Sequence, residues 1–281
     1  MPGDPGDVDM IPVAFEYERV DSVEAAIAAL RADEDAKLLA GGHSLLPNMK
    51  LRLAIPSKLI DIGRLRDLSY VRESHGLVAI GALTRYRELE TSDLLRELCP
   101  IVASVSGQVG DPQVRHMGTI GGSVAHADPA GDMPSVLLAL DATFVATGPD
   151  GTRAISATEM FPGLFESALG HDEVLTEIRV PTTTGGWSYQ KFSRRAIDWA
   201  IVGVAAIRSN GGARVALTNM GLTPMRASGV EEALAGGADP QAAAERADEG
   251  SAPPSDAFAT DEYRRHLARV LVRRALEEAL G

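Results

Sequence analysis

The segments Ala40-Gly41-Gly42-His43-Ser44 and Thr119-Ile120-Gly121-Gly122-Ser123 decide how this chain folds, because each places paired glycines and a final hydroxyl beside an apolar stretch. A residue without Cβ lets the main chain approach a bulky group closely and adopt positive φ. Consecutive N–H groups in such a turn form a concave anion site. We therefore interpret both segments as turns that hold a diphosphate, with ordinary tight turns as the alternative for either one alone.

Two common nucleotide motifs are disfavoured by spacing. The first segment lacks the G-x-G-x-x-G pattern, and the second is not followed by a helix-like stretch in the way that a Rossmann site requires. No G-K-[ST] tripeptide occurs in the chain, which excludes a P-loop. A diphosphate held here belongs to another kind of nucleotide fold.

Composition limits the partners and the compartment. The 281 residues are 45% apolar and 23% charged, enough for two domains, and the net charge of −12 disfavours binding to nucleic acid. Residues 1–10 have no basic start and no apolar centre, so we predict a loose tail and no signal peptide. Apolar runs fall short of the roughly 20 residues needed to span a bilayer. These features predict a cytoplasmic protein without a membrane span.

Cysteine and histidine content argues against chemistry on this chain's own side chains. The single Cys99 excludes an internal disulfide and an iron–sulfur cluster held by this chain's thiolates alone. The six histidines are scattered without H-E-x-x-H spacing. We therefore assign no catalytic residue and no metal ligand.

Hydrophobic periodicity predicts mixed helix and sheet in the N-terminal part. A capping pattern at residues 21–24 begins a short helix, and residues 94–109 suggest one packed helix. A Pro-, Thr- and Gly-rich break at residues 181–186 predicts a domain boundary. Further strands are expected at residues 37–40, 59–62, 77–83, 142–146 and 174–180, and a further helix at residues 135–141.

The C-terminal part predicts a small antiparallel sheet followed by helices. A turn at residues 210–212 joins two of its strands as a hairpin. A long amphipathic helix is expected at residues 260–280. The other expected elements are strands at residues 187–192, 201–207 and 213–220, a helix at residues 228–234 and a connector at residues 236–255.

A third segment, residues 189–200, mixes aromatic, cationic and anionic side chains around a predicted strand end. An aromatic ring beside charged groups suits a planar, redox-active ligand. The alternative is a charged sheet edge that discourages aggregation, with Trp199 in the core.

Taken in order, three motifs resemble the medium, flavin-binding subunit of the molybdenum hydroxylases, from about Phe15 to Leu280. They are residues 40–47, residues 119–123 with 127–132, and the segment at residues 189–200. The resemblance implies an α+β fold: a two-lobed vanillyl-alcohol-oxidase (PCMH)-type FAD-binding domain at residues 11–184, then a small C-terminal domain at residues 185–281 with an antiparallel sheet and helices. The lobes would cover about residues 11–65 and 66–184.

The resemblance also implies electron relay. A substrate would be oxidised at a molybdenum cofactor on a large subunit, and electrons would cross two [2Fe-2S] clusters on a small subunit to FAD on this chain. The three subunits would assemble as a dimer of heterotrimers. The implied FAD contacts are Ala40, Gly41, Gly42, His43, Ser44, Leu45, Leu46, Thr119, Ile120, Gly121, Gly122, Ser123, Asp132, Leu175, Lys191 and Trp199. A stand-alone flavin-dependent oxidoreductase and a non-catalytic assembly module remain open alternatives.

Overall fold

The computed structural model describes residues 11–183 and 185–281, and the predicted tail at residues 1–10 lies outside them. The first lobe carries a three-stranded parallel sheet in the order β1-β3-β2. Its elements are β1 (Glu16–Arg19), α1 (Val23–Ala32), β2 (Lys37–Leu39), α2 (Leu45–Lys50) and β3 (Lys58–Asp61).

Local sequence explains most of this lobe. Ser22 caps α1 by accepting a hydrogen bond from the N–H of Ala25 at 3.1 Å, and α1 buries Ala26, Ile27, Ala29 and Leu30. The central strand β3 buries Leu59 and Ile60. Strand β1 was not predicted, because all four of its residues are exposed and it carries no alternation of apolar side chains.

The second lobe is a five-stranded antiparallel sheet in the order β4-β5-β8-β6-β7, with helices inserted between β5 and β6. A 3-10 turn (Arg66–Leu68) precedes it. Its elements are β4 (Val71–Ser74), β5 (Leu77–Gly81), α3 (Tyr86–Glu90), α4 (Asp93–Leu98), α5 (Pro100–Ser106), α6 (Pro112–Met117), α7 (Ile120–His126), α8 (Asp132–Ala139), β6 (Thr143–Gly148), β7 (Gly151–Ser156) and β8 (Val174–Pro181).

Two predictions for this lobe are wrong. The single helix expected at residues 94–109 is two helices, because Cys99 leaves the helical region at φ −153° and Pro100 begins α5. The second glycine segment is followed by a helix after all, since residues 120–123 form the start of α7. Glycine's low helix propensity hid this helix from pattern reasoning.

The C-terminal part carries a four-stranded antiparallel sheet in the order β12-β11-β10-β9. Its elements are β9 (Trp187–Phe192), β10 (Val202–Ser209), β11 (Gly212–Thr218), β12 (Met225–Arg226), α9 (Ser228–Ala235), α10 (Pro240–Ala244) and α11 (Asp261–Leu280). The main elements lie close to their predicted bounds. The connector expected at residues 236–255 contains the short helix α10, which Asp239 caps and Pro240 begins.

Helix α8 joins the two parts of the molecule. All eight of its residues are buried, and it packs against α5 on one side and against β10 and β11 on the other. Tyr189, Ala205 and Ile207 of the C-terminal sheet belong to the same apolar core as the second lobe. The C-terminal sheet is therefore fixed against the second lobe through a shared core. Among the described residues, no helix combines the length and the apolar character needed to cross a membrane.

Candidate functional site

The two glycine motifs, residues 40–44 and 119–123, are neighbours in space. A Cβ added to Gly41 would stand 2.2 Å from the carbonyl oxygen of Met117 and 2.9 Å from the Cα of Gly118. Side chains cannot be accommodated at such distances, so Gly41 is required where the first motif touches the chain leading into the second. Part of the bare backbone predicted from the sequence therefore meets the protein itself.

The first motif carries a run of unpaired backbone donors. Within the described ranges, the N–H groups of Gly41, Gly42, His43 and Ser44 donate to no protein acceptor. Gly42 has φ +74°, and Ser44 precedes α2 without a side-chain cap. Successive N–H groups in a turn of this kind form an anion site. This motif keeps the donors that a diphosphate needs.

The second motif donates four of its five backbone amides, those of residues 120–123, to acceptors within the protein. Thr119 is the N-cap of α7, and its side chain and carbonyl accept two of the four bonds. The four bonds run from the N–H groups of Ile120 to Thr84 O (3.1 Å), Gly121 to Ala82 O (2.9 Å), Gly122 to Thr119 Oγ1 (3.1 Å) and Ser123 to Thr119 O (3.2 Å). Its hydroxyls and the N–H of Thr119 are what remain for a ligand within the described residues.

The glycines of the second motif allow α7 to approach β5. A Cβ on Gly121 would lie 2.6 Å from the Cβ and the carbonyl oxygen of Ala82, just beyond the end of β5. A Cβ on Gly122 would lie 2.9 Å from Thr119 Oγ1, the atom that accepts the N–H of Gly122 itself. Both glycines serve close packing at the start of α7.

A cavity of about 280 Å³ lies where the two motifs meet. Ala40, Gly41, Leu46 and Thr119 contribute to its wall from the predicted set. This volume is near the lower limit of roughly 300 Å³ for small-molecule sites, so the cavity fits one portion of a dinucleotide, such as its diphosphate.

Sequence reasoning missed two arginines in this wall, Arg64 and Arg85. Arg64 follows β3, and Arg85 forms an isolated antiparallel bridge with Thr119. Only the tertiary pairing of residues 85 and 119 reveals Arg85 as a neighbour, so no local signal was available. The two arginines bring positive charge that the glycine motifs lack, and Asp61 in the same wall offsets part of it.

A buried polar cluster connects α8 with β9. Asp132 accepts from the hydroxyl of Tyr189 at 2.6 Å and from Nζ of Lys191 at 2.8 Å, and Lys191 also donates to the carbonyl of Gln108 at 3.3 Å. The Asp132 and Lys191 side chains are 5% and 6% exposed. Burial raises the pKa of Asp132, and the charge of Lys191 opposes that shift. Tyr189 and Lys191 alternate along β9, which puts both on one face of the strand.

This cluster changes the interpretation of Asp132. Each carboxylate oxygen has a partner within the protein. Asp132 and Lys191 were both predicted as FAD contacts, and the structure brings them together as a buried ion pair. The direct role of the Asp132 carboxylate is therefore to bind the ammonium group of Lys191.

The remaining predicted residues are divided between the core and the surface. Trp199 is 59% exposed, so the alternative that places it in the core is wrong. Its segment is held by Asn219, whose side-chain amide donates to Ala200 O at 2.8 Å. Leu175 is buried in β8 within the main core. Leu45 begins α2 and is partly buried. His43 is exposed and contacts the carbonyl of Gly41 through Nδ1 at 2.9 Å.

Two family models together match most of the chain. Residues 13–183 match the model described as "FAD binding domain in molybdopterin dehydrogenase". Residues 187–279 match the model described as "CO dehydrogenase flavoprotein C-terminal domain".

Characterised relatives match over nearly their whole length. The carbon monoxide dehydrogenase medium chain of Hydrogenophaga pseudoflava is 42% identical, covering 96% of this chain and 98% of the relative. The glyceraldehyde dehydrogenase medium chain of Sulfolobus acidocaldarius is 38% identical over 96% and 99%. The nicotine 6-hydroxylase medium subunit of Paenarthrobacter nicotinovorans is 34% identical over 95% and 97%.

Solved structures show the same architecture. A chain of the Hydrogenophaga pseudoflava carbon monoxide dehydrogenase superposes with a TM-score of 0.92 at 43% identity, covering 96% of this chain and 98% of that one. A chain of quinoline 2-oxidoreductase from Pseudomonas putida 86 superposes with a TM-score of 0.90 at 32% identity over the same shares.

Proposed function

Because the chain belongs to the family of FAD-binding medium subunits of the molybdenum hydroxylases, we propose that it holds FAD across its two glycine motifs and relays electrons to an external acceptor. FAD supplies the redox chemistry when it is bound. The chain's own residues bind the cofactor, orient it and set its surroundings.

The observation that carries this proposal is the run of four unpaired amides at residues 41–44 beside the cavity. A diphosphate offers the oxygens that these donors lack, and a hydrogen bond to a charged oxygen contributes roughly 1.5–3 kcal/mol. The hydroxyls of Thr119 and Ser123 and the charges of Arg64 and Arg85 complete the donor set. The residues present therefore fit the phosphate portion of FAD.

The C-terminal domain would supply the surroundings of the ring system. Lys191 provides a buried cation that is fixed by Asp132. Trp199 provides an exposed aromatic face for packing on the isoalloxazine. Leu175 would contribute apolar surface near the flavin. In this arrangement both domains contact one cofactor, and the proposed boundary at residues 181–186 lies between them.

The proposed partners are a small subunit with two [2Fe-2S] clusters and a large molybdopterin subunit, arranged as a dimer of heterotrimers in the cytoplasm. A single cysteine leaves this chain without the thiolates that such clusters need. Relatives named for carbon monoxide, glyceraldehyde and nicotine enzymes are each 34–42% identical to this chain. That similarity across different substrates supports substrate choice on another subunit.

A charge placed beside the unpaired amides tests the diphosphate site. His43 is exposed, so His43→Glu adds a negative charge without disturbing packing, and His43→Gln is the matched neutral control. A carboxylate about 6 Å from a doubly charged diphosphate in a water-like dielectric costs about 1.4 kcal/mol, which is about tenfold in affinity. We expect titration of the apoprotein with FAD to show this difference between the two variants, and titration with riboflavin to show none.

The result separates the open alternatives. Equal FAD affinity of the two variants would show that the diphosphate does not bind at residues 41–44. Absence of FAD binding by the wild type would favour the assembly module instead. Purification of the native complex under mild conditions tests the partners: iron, labile sulfide and molybdenum should copurify with this chain, whereas substrate turnover by the chain alone would support the stand-alone oxidoreductase.

A further inference from the structure

Ser123 carries one of the hydroxyls that the second glycine motif keeps for a ligand. It lies one helical turn beyond Thr119 on the same side of α7, and it is partly exposed. Its backbone N–H is already bonded to Thr119 O. Only its hydroxyl remains, and the orientation of that hydroxyl decides whether it donates or accepts.

The buried Tyr86 side chain fixes the orientation of the Ser123 hydroxyl. Its hydroxyl donates to Ser123 Oγ at 2.6 Å, while its side chain is 2% exposed. Burial raises the pKa of Tyr86, so the phenol keeps the proton that it donates to Ser123. The backbone N–H of Tyr86 also bonds to Gly118 O at 3.0 Å, which ties the base of the ring to the approach to α7.

The Ser123 proton is then left without an acceptor. A serine hydroxyl carries one proton and two acceptor sites, and Tyr86 fills one of those acceptor sites. A serine within a helix often donates back to a carbonyl of the preceding turn, but within the described residues Ser123 makes no such bond. The Ser123 proton is therefore free to point away from Tyr86.

We propose that Tyr86 is a positioning residue of the cofactor site: by donating to Ser123 Oγ it commits the Ser123 hydroxyl to donate to the diphosphate of the bound dinucleotide. The inference rests on the proposed FAD site. It adds a residue outside both glycine motifs, 33 positions before Thr119 in sequence, that acts on the ligand only through Ser123.

A double-mutant cycle measures this dependence. The full chain is stripped of flavin and titrated with FAD as wild type, Tyr86→Phe, Ser123→Ala and the double variant. A lost hydrogen bond to a charged oxygen predicts that Ser123→Ala raises the Kd about tenfold or more. Tyr86→Phe should raise it about threefold to tenfold when Ser123 is present, and less than about twofold when Ser123 is already alanine.

Controls separate positioning from folding. Tyr70→Phe removes another phenol that donates at 2.6 Å, to Glu177, and neither of these two residues belongs to a glycine motif. It should change thermal stability without changing the Kd for FAD. Titration with riboflavin, which lacks the diphosphate, should show no effect of Tyr86→Phe.

Each outcome decides the proposal. The proposal is supported if Tyr86→Phe weakens FAD binding only when Ser123 is present, and leaves riboflavin binding unchanged. An equal loss of FAD affinity with Ser123 and with Ala at position 123 would make Tyr86 a purely structural residue. An unchanged Kd for FAD in the folded Tyr86→Phe variant would show that Tyr86 has no role at the site. Either result overturns the inference while leaving the proposed FAD binding intact. If the wild type fails to bind FAD, the proposed function fails and this inference falls with it.

Discussion

Replacing Lys191 by methionine should destabilise the chain strongly and in a pH-dependent way. Asp132 is 5% exposed, and the ammonium of Lys191 at 2.8 Å is its charged partner. Removing one member of a buried pair typically costs about 3–5 kcal/mol because the other charge is left uncompensated. Keeping Asp132 protonated at pH 7 instead, about 3 pH units above its ordinary pKa, costs about 4 kcal/mol. Both routes give the same magnitude.

The direction of the pH effect follows from the same carboxyl. In the wild type, burial raises the pKa of Asp132 above its ordinary value, and Lys191 opposes this. A carboxyl with a raised pKa binds its proton more tightly in the folded chain than in the unfolded one, so stability falls as the pH rises above about 4. Without Lys191 the pKa of Asp132 rises further. The deficit of the variant should therefore shrink as the pH falls from 7 to 5, by at most about 1.4 kcal/mol for each pH unit, because the wild type loses part of the same stability as the pH rises.

Thermal unfolding at pH 7, 6 and 5 measures this effect. At about 2–4 °C per kcal/mol, Lys191→Met should lower the Tm by about 10 °C at pH 7, and by less at pH 5. Adding Asp132→Asn should abolish the pH dependence of the deficit. Arg195→Met, which breaks an exposed ion pair with Asp198, is the matched surface control and should leave the Tm nearly unchanged. A deficit that is constant with pH would refute the uncompensated carboxylate as its cause.

Two further predictions concern single side chains. Trp199→Ala should leave the Tm nearly unchanged because the indole is 59% exposed. It should alter the flavin's reduction potential or its rate of reoxidation. If both stay unchanged, Trp199 does not contact the flavin. Cys99 is fully buried, and burial raises the pKa of its thiol to about 11, so iodoacetamide at pH 8 should alkylate it only in denaturant. Rapid alkylation of the native chain would show that α4 and α5 open there.

The reason for which the sequence analysis singled out the two glycine motifs was only half right. Missing Cβ atoms do mark positions of close approach, but Gly41 and Gly121 are approached by Met117 and Ala82 of the same chain. Whether a glycine faces a ligand or a neighbouring backbone depends on tertiary contacts that a local pattern does not contain. Within the described residues, 41–44 retain a run of four free amides, whereas residues 120–123 of the second motif donate theirs to the protein.

Long-range pairing limited the prediction of the site more than local structure did. The resemblance placed Asp132 and Lys191 separately near FAD, and their ion pair joins positions 59 residues apart in sequence. Arg85 enters the cavity only because it pairs with Thr119. Strands with strong apolar alternation were found from the sequence, whereas β1, which is exposed throughout, was not.

The contacts between α8 and the C-terminal sheet hold the two domains together beside the proposed cofactor site. Besides the ion pair, the N–H of Asn219 donates to Pro129 O at 2.8 Å, and Ser135 and Thr218 share a buried hydrogen bond. Opening the domains here would expose all of these groups together with a shared apolar core, at a free-energy cost close to that of unfolding. The segment that carries Trp199 is instead exposed. The buried contacts therefore hold the two domains together, and the segment that carries Trp199 lies outside them.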